Sequence, residues 1–242
     1  MSVTGTAPTL VAVAHGSPDP RARESVLALL RRVRAMRRPL RVELGHLETD
    51  EPLLGNTLAR LRGKAVLVPL LFGRGYHVKH DIPSVLSRAS HLDATVAACL
   101  GPHPLLVEAL YGRLVEAGYR GGAVVLAAAG SRDPESAAGT RTTAAMLSHR
   151  LGGVPVVPAY ASAASPTVAE AVELLRSHGH REIALSSCFT APGFFATRCA
   201  EEAPGIVAEP LGAHASLARL LLHRFDRAAA ALPARTLHRA AA

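Results

Sequence analysis

Residues 10–20 read LVAVAHGSPDP, a short apolar run that ends in His-Gly-Ser and leads into Asp-Pro. Consecutive apolar residues that end at a glycine turn are typical of a buried parallel strand. From Arg21 to Met36, apolar residues recur at helical spacing, with arginines on the opposite face. The stretch therefore predicts a strand that turns directly into a helix, which is the opening of a βαβ unit.

The same alternation continues downstream. Further strands are predicted at 40–47, 65–71 and 95–100, and further helices at 51–61, 83–88 and 104–117. Strands that alternate with helices of this length indicate an α/β fold built on parallel sheet.

The opening motif then recurs in the second half of the chain. AHGSPDP at 14–20 aligns with AAGSRDP at 128–134, an offset of 114 residues. Two later pairs of motifs keep nearly the same offset: 75–77 with 193–195, and 100–103 with 211–214. Near-constant offsets over separate motifs indicate an internal repeat. We therefore expect two tandem βαβ-type halves with parallel sheets, residues 1–118 and 119–242, with an active-site cleft between them.

Composition narrows the class of protein. The 242 residues carry 27 Lys plus Arg against 19 Asp plus Glu, a formal net charge of +8, and only 3 cysteines. Three cysteines without CxxC spacing predict neither a disulfide framework nor a structural zinc site. The first residues lack a signal-peptide pattern, and no apolar run is long enough to span a membrane. We expect a soluble cytoplasmic protein with no membrane partner.

The positive charge points to a small anionic ligand rather than to nucleic acid. Aromatic residues make up 4% of the chain and there is no Trp, so few side chains could stack on bases. Neither GxGxxG nor GxxxxGK[ST] is present, so we expect no nucleotide cofactor. A net positive field still favours an anionic small molecule.

A comparison of the two halves separates residues with a structural role from candidate functional residues. The Gly, Ser, Asp and Pro of the first motif recur in the second, which indicates turn and helix-cap roles. His103 recurs as His214, which indicates a structural or surface role. Two histidines do not recur: His15 aligns with Ala129, and His77 aligns with Phe195. These two are the strongest candidates for a function confined to the first half.

Both histidines follow strands that are commonly neighbours, at the sheet edge where ligands bind in α/β folds. Polar side chains after the second strand lie at the same edge: His46, Glu48, Asp50 and Glu51. Two imidazoles and one carboxylate suit a divalent metal such as Fe, Co, Ni or Zn. The same imidazoles could instead act as general bases near neutral pH.

Each of these signals also has a purely structural interpretation. A histidine in a strand-end turn, such as His15, is often only hydrogen-bonded. His80 follows His77 by three residues but could simply open the next helix, so it ranks below His77 as a ligand. The arginines of the first helix are typical of a solvated face, although the earliest of them could reach an anion in the cleft.

At this point three stretches of sequence resemble a known family, the sirohydrochlorin chelatases of the CbiX and SirB group, or class II chelatases. They are VAHGS at 13–17, HLETDEP at 46–52 and VPLLFGRGYHVKHDIP at 68–83. The resemblance is strong over roughly residues 10–115, and the rest is similar to the second half of the family's long, duplicated form. It implies insertion of Fe²⁺ or Co²⁺, with Ni²⁺ also open, into an anionic tetrapyrrole without ATP. The product would be sirohaem or a cobalamin precursor.

The resemblance also implies roles for individual residues. His15, Glu48 and His77 would bind the metal, and His15 and His77 would accept pyrrole protons. Because such a substrate carries many carboxylates, nearby arginines such as Arg74 suit it, and Phe194 and Phe195 of the second half could contribute apolar surface to the macrocycle. With one metal site in the first half and the second half as the other wall, a monomer would be sufficient, although higher association stays open.

Two other functions compete with this interpretation. A non-catalytic carrier of metal or tetrapyrrole would use the same histidines, and only catalytic turnover would separate it from a chelatase. A hydrolase using His15, Ser17 and Asp19 ranks far lower, because the serine and aspartate recur without the histidine and no GxSxG motif is present.

Overall fold

A computed structural model describes residues 7–232, and the first half forms the predicted alternation of strands and helices. In chain order its elements are β1 (Thr9–Ala14), α1 (Pro20–Met36), β2 (Val42–His46), α2 (Leu54–Arg60), β3 (Gly63–Pro69), a π-helix (His77–Asp81), α3 (Ile82–Ser87), β4 (Leu92–Val96) and α4 (Pro104–Glu116). The predicted strand at 95–100 is wrong in position, because β4 ends at Val96, although Ala97, Cys99 and Leu100 are buried beyond it.

The second half repeats this order. Its elements are β5 (Ala123–Ala128), α5 (Pro134–Arg150), β6 (Val156–Tyr160), α6 (Val168–Ser177), β7 (Ile183–Ser187), α7 (Phe194–Glu201) and α8 (Ala215–Ala229). Where the first half has β4, the second has an isolated parallel bridge between Leu185 and Val207.

The strands form two separate parallel sheets. Within the described residues the first sheet has the order β2-β1-β3-β4 and the second has the order β6-β5-β7. β1 therefore lies beside β3, with Thr9 opposite Ala65 and Val13 opposite Pro69. β5 lies beside β7 in the same way. The predicted α/β architecture of two parallel-sheet halves is confirmed.

Side chains of β1 alternate between two hydrophobic cores because successive residues of a strand face opposite sides. Leu10, Ala12 and Ala14 join a large core that also contains buried residues of α1, α4, α5, α8 and the second sheet. Val11 and Val13 join a smaller core under α2 and α3. The central helices are thus packed between the two sheets, and α6 and α7 cover the outer face of the second.

The last helix of each half packs on the sheet of the other half. α8 contacts α1, β3 and β4, whereas α4 contacts β7 and α5. α4 and α8 also contact each other; a Cβ on Gly112 of α4 would lie 2.4 Å from Nε2 of His214. The two halves therefore share one central core instead of forming two separate ones.

Among residues 7–232, no helix combines the length and the apolar character that crossing a membrane requires.

Candidate metal centre and the cleft around it

A cleft of about 600 Å³ opens at the carboxyl ends of both sheets. Ala14 and His46 line it at the ends of β1 and β2, and Leu70 lines it just after β3. Ala128 and Cys188 take the corresponding places in the second half. This is the edge at which ligands bind in open α/β sheets, so the fold places both halves around one candidate site.

His15, Glu48 and His77 converge in the first half of the chain. One ligand atom from each lies within 4.8 Å of the other two. The His15 and His77 rings are nearly perpendicular, with centroids 4.7 Å apart. Two imidazole nitrogens and a carboxylate oxygen at this spacing can bind one divalent cation and leave further coordination positions open.

Gly16 fixes the relative placement of His15 and Glu48. The amide of Glu48 donates to the carbonyl of His15 at 2.9 Å, which joins the loops that follow β1 and β2. Gly16 has φ +104, and a Cβ there would lie 1.9 Å from the Glu48 carbonyl oxygen. Only glycine allows both this backbone conformation and this approach.

A second contact joins the same two loops. The amide of Ser17 donates to Oδ2 of Asp50 at 3.0 Å. The hydroxyl of Ser17 in turn accepts a hydrogen bond from the amide of Asp19, and Ser131 makes the same bond with Asp133 in the second half. Ser17 is therefore a turn residue, as the repeat predicts, and this position does not favour the hydrolase hypothesis.

His77 is the first residue of the π-helix, which follows the loop after β3 and is held against the second half. Lys79 forms ion pairs with Asp133 at 2.7 Å and with Glu135 at 2.8 Å. Hydrogen bonds to these two carboxylates raise the pKa of Lys79, and the bond from Lys79 lowers the pKa of Asp133. Gly73 lies so close to Ser136 of α5 that a Cβ there would be 2.4 Å from its hydroxyl oxygen.

Two buried groups line the cleft in their neutral forms. His46 is 1% exposed, and burial lowers its pKa, so its imidazole is neutral at pH 7. Burial raises the pKa of the Cys188 thiol to about 12. Cys188 is therefore a protonated, inert part of the wall and not a thiolate ligand.

The second half keeps the backbone arrangement of this cluster without the side chains that could bind a metal. Ser162 donates from its amide to the carbonyl of Ala129 at 3.0 Å, just as Glu48 donates to His15. A Cβ on Gly130 would lie 1.8 Å from the Ser162 carbonyl oxygen, matching Gly16. Ala129, Ser162 and Phe195 thus stand where the first half has His15, Glu48 and His77.

The other predicted site residues are not part of this three-residue cluster, and only some of them line the cleft. Phe194 and Phe195 line the cleft, with ring centroids 5.6 Å apart, and Phe194 is 70% exposed. Arg74 lies outside the cleft lining and forms an ion pair with Glu135 at 3.5 Å. His80 packs against the ring of Tyr76 and is not part of the three-ligand cluster.

One early arginine of α1 lies where an anion in the cleft could meet it, and one carboxylate near this centre was not anticipated. Arg23 lines the cleft, and no ion pair is found for it among residues 7–232. Asp81 accepts a hydrogen bond from His77, with 2.6 Å between Oδ2 and Nδ1. Helical spacing signals both, since Arg23 is one turn from Val26 on the cleft-facing side of α1, and Asp81 is four residues after His77.

His103 and His214 have the structural role that their recurrence predicts. Nδ1 of His103 accepts from the amide of Leu105 at the start of α4. Nδ1 of His214 accepts from the amide of Ser216 at the start of α8. Each histidine is an N-cap, and burial is the main cause that lowers the pKa of both.

Known proteins are similar to this chain in sequence and in fold. The sequence profile of the CbiX family matches residues 9–117 and again residues 123–228. Sirohydrochlorin ferrochelatase of Bacillus subtilis (strain 168) is 29% identical over 168 residues, which cover 65% of this chain and 64% of that protein. Sirohydrochlorin cobaltochelatase of Methanosarcina barkeri (strain Fusaro / DSM 804) is 28% identical over 123 residues, covering 45% of this chain and 95% of that protein.

The match thus spans a little under two thirds of the Bacillus subtilis relative. In the comparison of structures, SirB from Bacillus subtilis, solved with Fe³⁺, has a TM-score of 0.77 at 24% identity, over 92% of this chain and 96% of SirB. That similarity supports the fold. With one profile match in each half, the chain belongs to the CbiX family.

Proposed function

We propose that this protein is a sirohydrochlorin chelatase that inserts Fe²⁺ or Co²⁺ into the tetrapyrrole without ATP. The observation that carries the proposal is the convergence of His15, Glu48 and His77 within 4.8 Å at a cleft large enough for an organic ligand. The activities of the two similar proteins, a sirohydrochlorin ferrochelatase and a sirohydrochlorin cobaltochelatase, support the substrate class.

The metal ion is a substrate in this reaction, so its ligands must hold it without enclosing it. His15 and Glu48 are exposed and His77 is half-buried, which leaves the bound ion accessible from the cleft. Imidazole and carboxylate ligands accept Fe²⁺, Co²⁺ and Ni²⁺ alike. We therefore expect metal supply to select among these ions more than the ligand set does.

Insertion replaces two pyrrole protons with one divalent cation. As the ion passes to the pyrrole nitrogens, the imidazoles of His15 and His77 each regain a free lone pair. Each can then accept one proton, because a neutral imidazole nitrogen with a free lone pair is a proton acceptor. The exchange balances in charge, since one M²⁺ enters the macrocycle and two H⁺ leave it.

We assign the metal site to the N-terminal half, residues 1–118, and the opposite wall to residues 119–242. Phe194, Phe195 and Ala129 give this wall an apolar surface on the cleft. Because one chain supplies both walls, a monomer is sufficient for the reaction.

The substrate's carboxylates need cationic partners. Arg23 lines the cleft, and Arg74, paired with Glu135, stands between the lining residues Gly73 and Gly75. We propose that both contribute to binding an anionic tetrapyrrole, with Arg23 free to make a direct contact.

The decisive experiment is anaerobic absorbance spectroscopy of the purified protein with sirohydrochlorin and Co²⁺ or Fe²⁺. Wild type is compared with the His15→Ala/His77→Ala double variant. A His178→Ala/His180→Ala variant is the matched control, because it removes two histidines that lie outside the cleft lining.

Metallation faster than the protein-free rate, lost in the first variant and kept in the control, supports a chelatase with its site in the first half. Equal rates with and without protein contradict it. Stoichiometric binding of metal or tetrapyrrole without turnover indicates a carrier instead.

The apolar wall has its own test. Phe195→Ala should raise the apparent KM for the tetrapyrrole about three- to tenfold, because an aromatic contact contributes about 0.5–1.5 kcal/mol beyond area burial. Steady-state kinetics at saturating Co²⁺ measures this effect, and an unchanged KM contradicts the role of the wall.

A further inference from the structure

Asp81 is a carboxylate that the fold does not use elsewhere. It lies at the junction of the π-helix and α3, yet its side chain caps no backbone amide there. Among residues 7–232, no Lys or Arg forms an ion pair with it. Its side chain contacts His77, with 2.6 Å between Oδ2 and Nδ1.

This hydrogen bond determines which nitrogen of His77 is available. A carboxylate can only accept, so Nδ1 of His77 carries the hydrogen. Nε2 then keeps its lone pair and is the nitrogen left for a metal ion. The bond also fixes the plane of the imidazole. It can form because His77 and Asp81 lie on the same face of the π-helix.

The internal repeat links the carboxylate to the histidine. The offset that aligns His77 with Phe195 aligns Asp81 with Cys199. In the second half the segment is an ordinary α-helix, and Cys199 is buried in the outer core. The histidine and the aspartate are therefore present together in one half and absent together in the other, although the helix itself forms in both.

We propose that Asp81 is a positioning residue that sets the tautomer and orientation of His77, so that Nε2 faces the ion shared with His15 and Glu48. The inference rests on the proposed function for its metal site and extends it beyond the three ligands. Groups that orient a metal-binding histidine in this way change metal affinity roughly 10- to 100-fold when removed.

The test uses Asp81→Ala and Asp81→Asn in the full chain without tetrapyrrole. Asn keeps an acceptor oxygen without the charge, whereas Ala removes the acceptor. Glu173→Ala removes an exposed carboxylate on α6 and controls for the change in net charge. Long-range ¹H–¹⁵N NMR reports the His77 tautomer, titration with Co²⁺ reports the dissociation constant, and thermal unfolding reports stability.

Wild type and the Glu173 variant should show the Nδ1–H tautomer. Asp81→Ala should shift His77 toward Nε2–H and weaken Co²⁺ binding roughly 10- to 100-fold, with Asp81→Asn in between and little change in Tm. An unchanged tautomer and Co²⁺ affinity in Asp81→Ala overturns the proposal, as does a loss of affinity that follows the loss of Tm in all variants. Because no tetrapyrrole is present, these readouts stand even when wild type fails to metallate sirohydrochlorin.

Discussion

The hydrogen atom at Cα of Gly16 leaves room for the Glu48 carbonyl, and a methyl group in its place should displace the loop of the proposed metal site. Gly16→Ala should cost about 1–2 kcal/mol of stability from its positive φ alone, and more because the Cβ meets the Glu48 carbonyl at 1.9 Å. The displaced loop carries Glu48, so we also expect weaker Co²⁺ binding. Chemical denaturation and Co²⁺ titration measure the two effects.

The repeat supplies controls for this prediction. Gly130→Ala makes the same clash with Ser162 in the second half, so it should lose similar stability and keep Co²⁺ affinity. Gly118→Ala has a positive φ but nothing within 4 Å of the new Cβ, so it should show the smaller cost only. Equal loss of Co²⁺ affinity in the Gly16 and Gly130 variants would mean that the metal site is not confined to the first half.

Arg23 adds a positive charge to the lining of the cleft. Arg23→Ala should raise the KM for the proposed tetrapyrrole substrate about three- to tenfold, because an exposed charged contact contributes about 1 kcal/mol. Its KM should also rise less steeply with salt than that of wild type. Arg21→Ala is the matched control, since Arg21 is held by Asp19 at 2.7 Å and lies outside the cleft lining. If both variants behave alike, Arg23 makes no direct contact.

Among the elements, α4 and α8 depend on neutral histidines for their N-caps. Burial, followed by nearby positive charges, lowers the pKa of His103 and of His214 in the folded state. The unfolded chain therefore binds protons more readily, with a histidine pKa near 6.5. Their contribution to stability should be complete above about pH 6.5 and should be lost as the pH falls toward their folded pKa values.

Urea unfolding at about pH 7.5 and pH 5.5 measures this loss. A His103→Asn/His214→Asn double variant keeps two capping side chains that do not titrate, so its stability should fall less between these pH values. The same decrease in the variant and in wild type would assign the acid sensitivity to other groups, such as buried His46.

The sequence predicts most of these helices and strands because the spacing of apolar residues and the turn residues are local signals of secondary structure. The exception at β4 has a physical cause: Ala97, Cys99 and Leu100 are buried, and an apolar run indicates burial without indicating strand pairing. The repeat also singles out His15 and His77 by comparing the halves. The π-helix depends on backbone geometry that periodicity does not encode, so the sequence signals the His77–Asp81 contact only through their four-residue spacing.

At the scale of the whole molecule, the halves are joined by more than the chain between them. Cutting that connection at a protease site inserted between Arg120 and Gly121 should leave the two pieces associated, because α4 and α8 each pack on the other piece. Size-exclusion chromatography after cleavage should show one species at the original size, which retains Co²⁺ binding. Separation of the pieces without denaturant would contradict this dependence.

This exchange of α4 and α8 also sets an order in time during synthesis. β3 and β4 leave the ribosome early, but α8, which covers them, ends at Ala229 and emerges more than a hundred residues later. The nascent first half therefore carries an uncovered apolar face for most of translation, in contrast to domains that complete folding as they emerge. Chaperone demand for this protein should follow the delay before α8 appears, so codons that slow translation of the second half should lower the yield of folded protein.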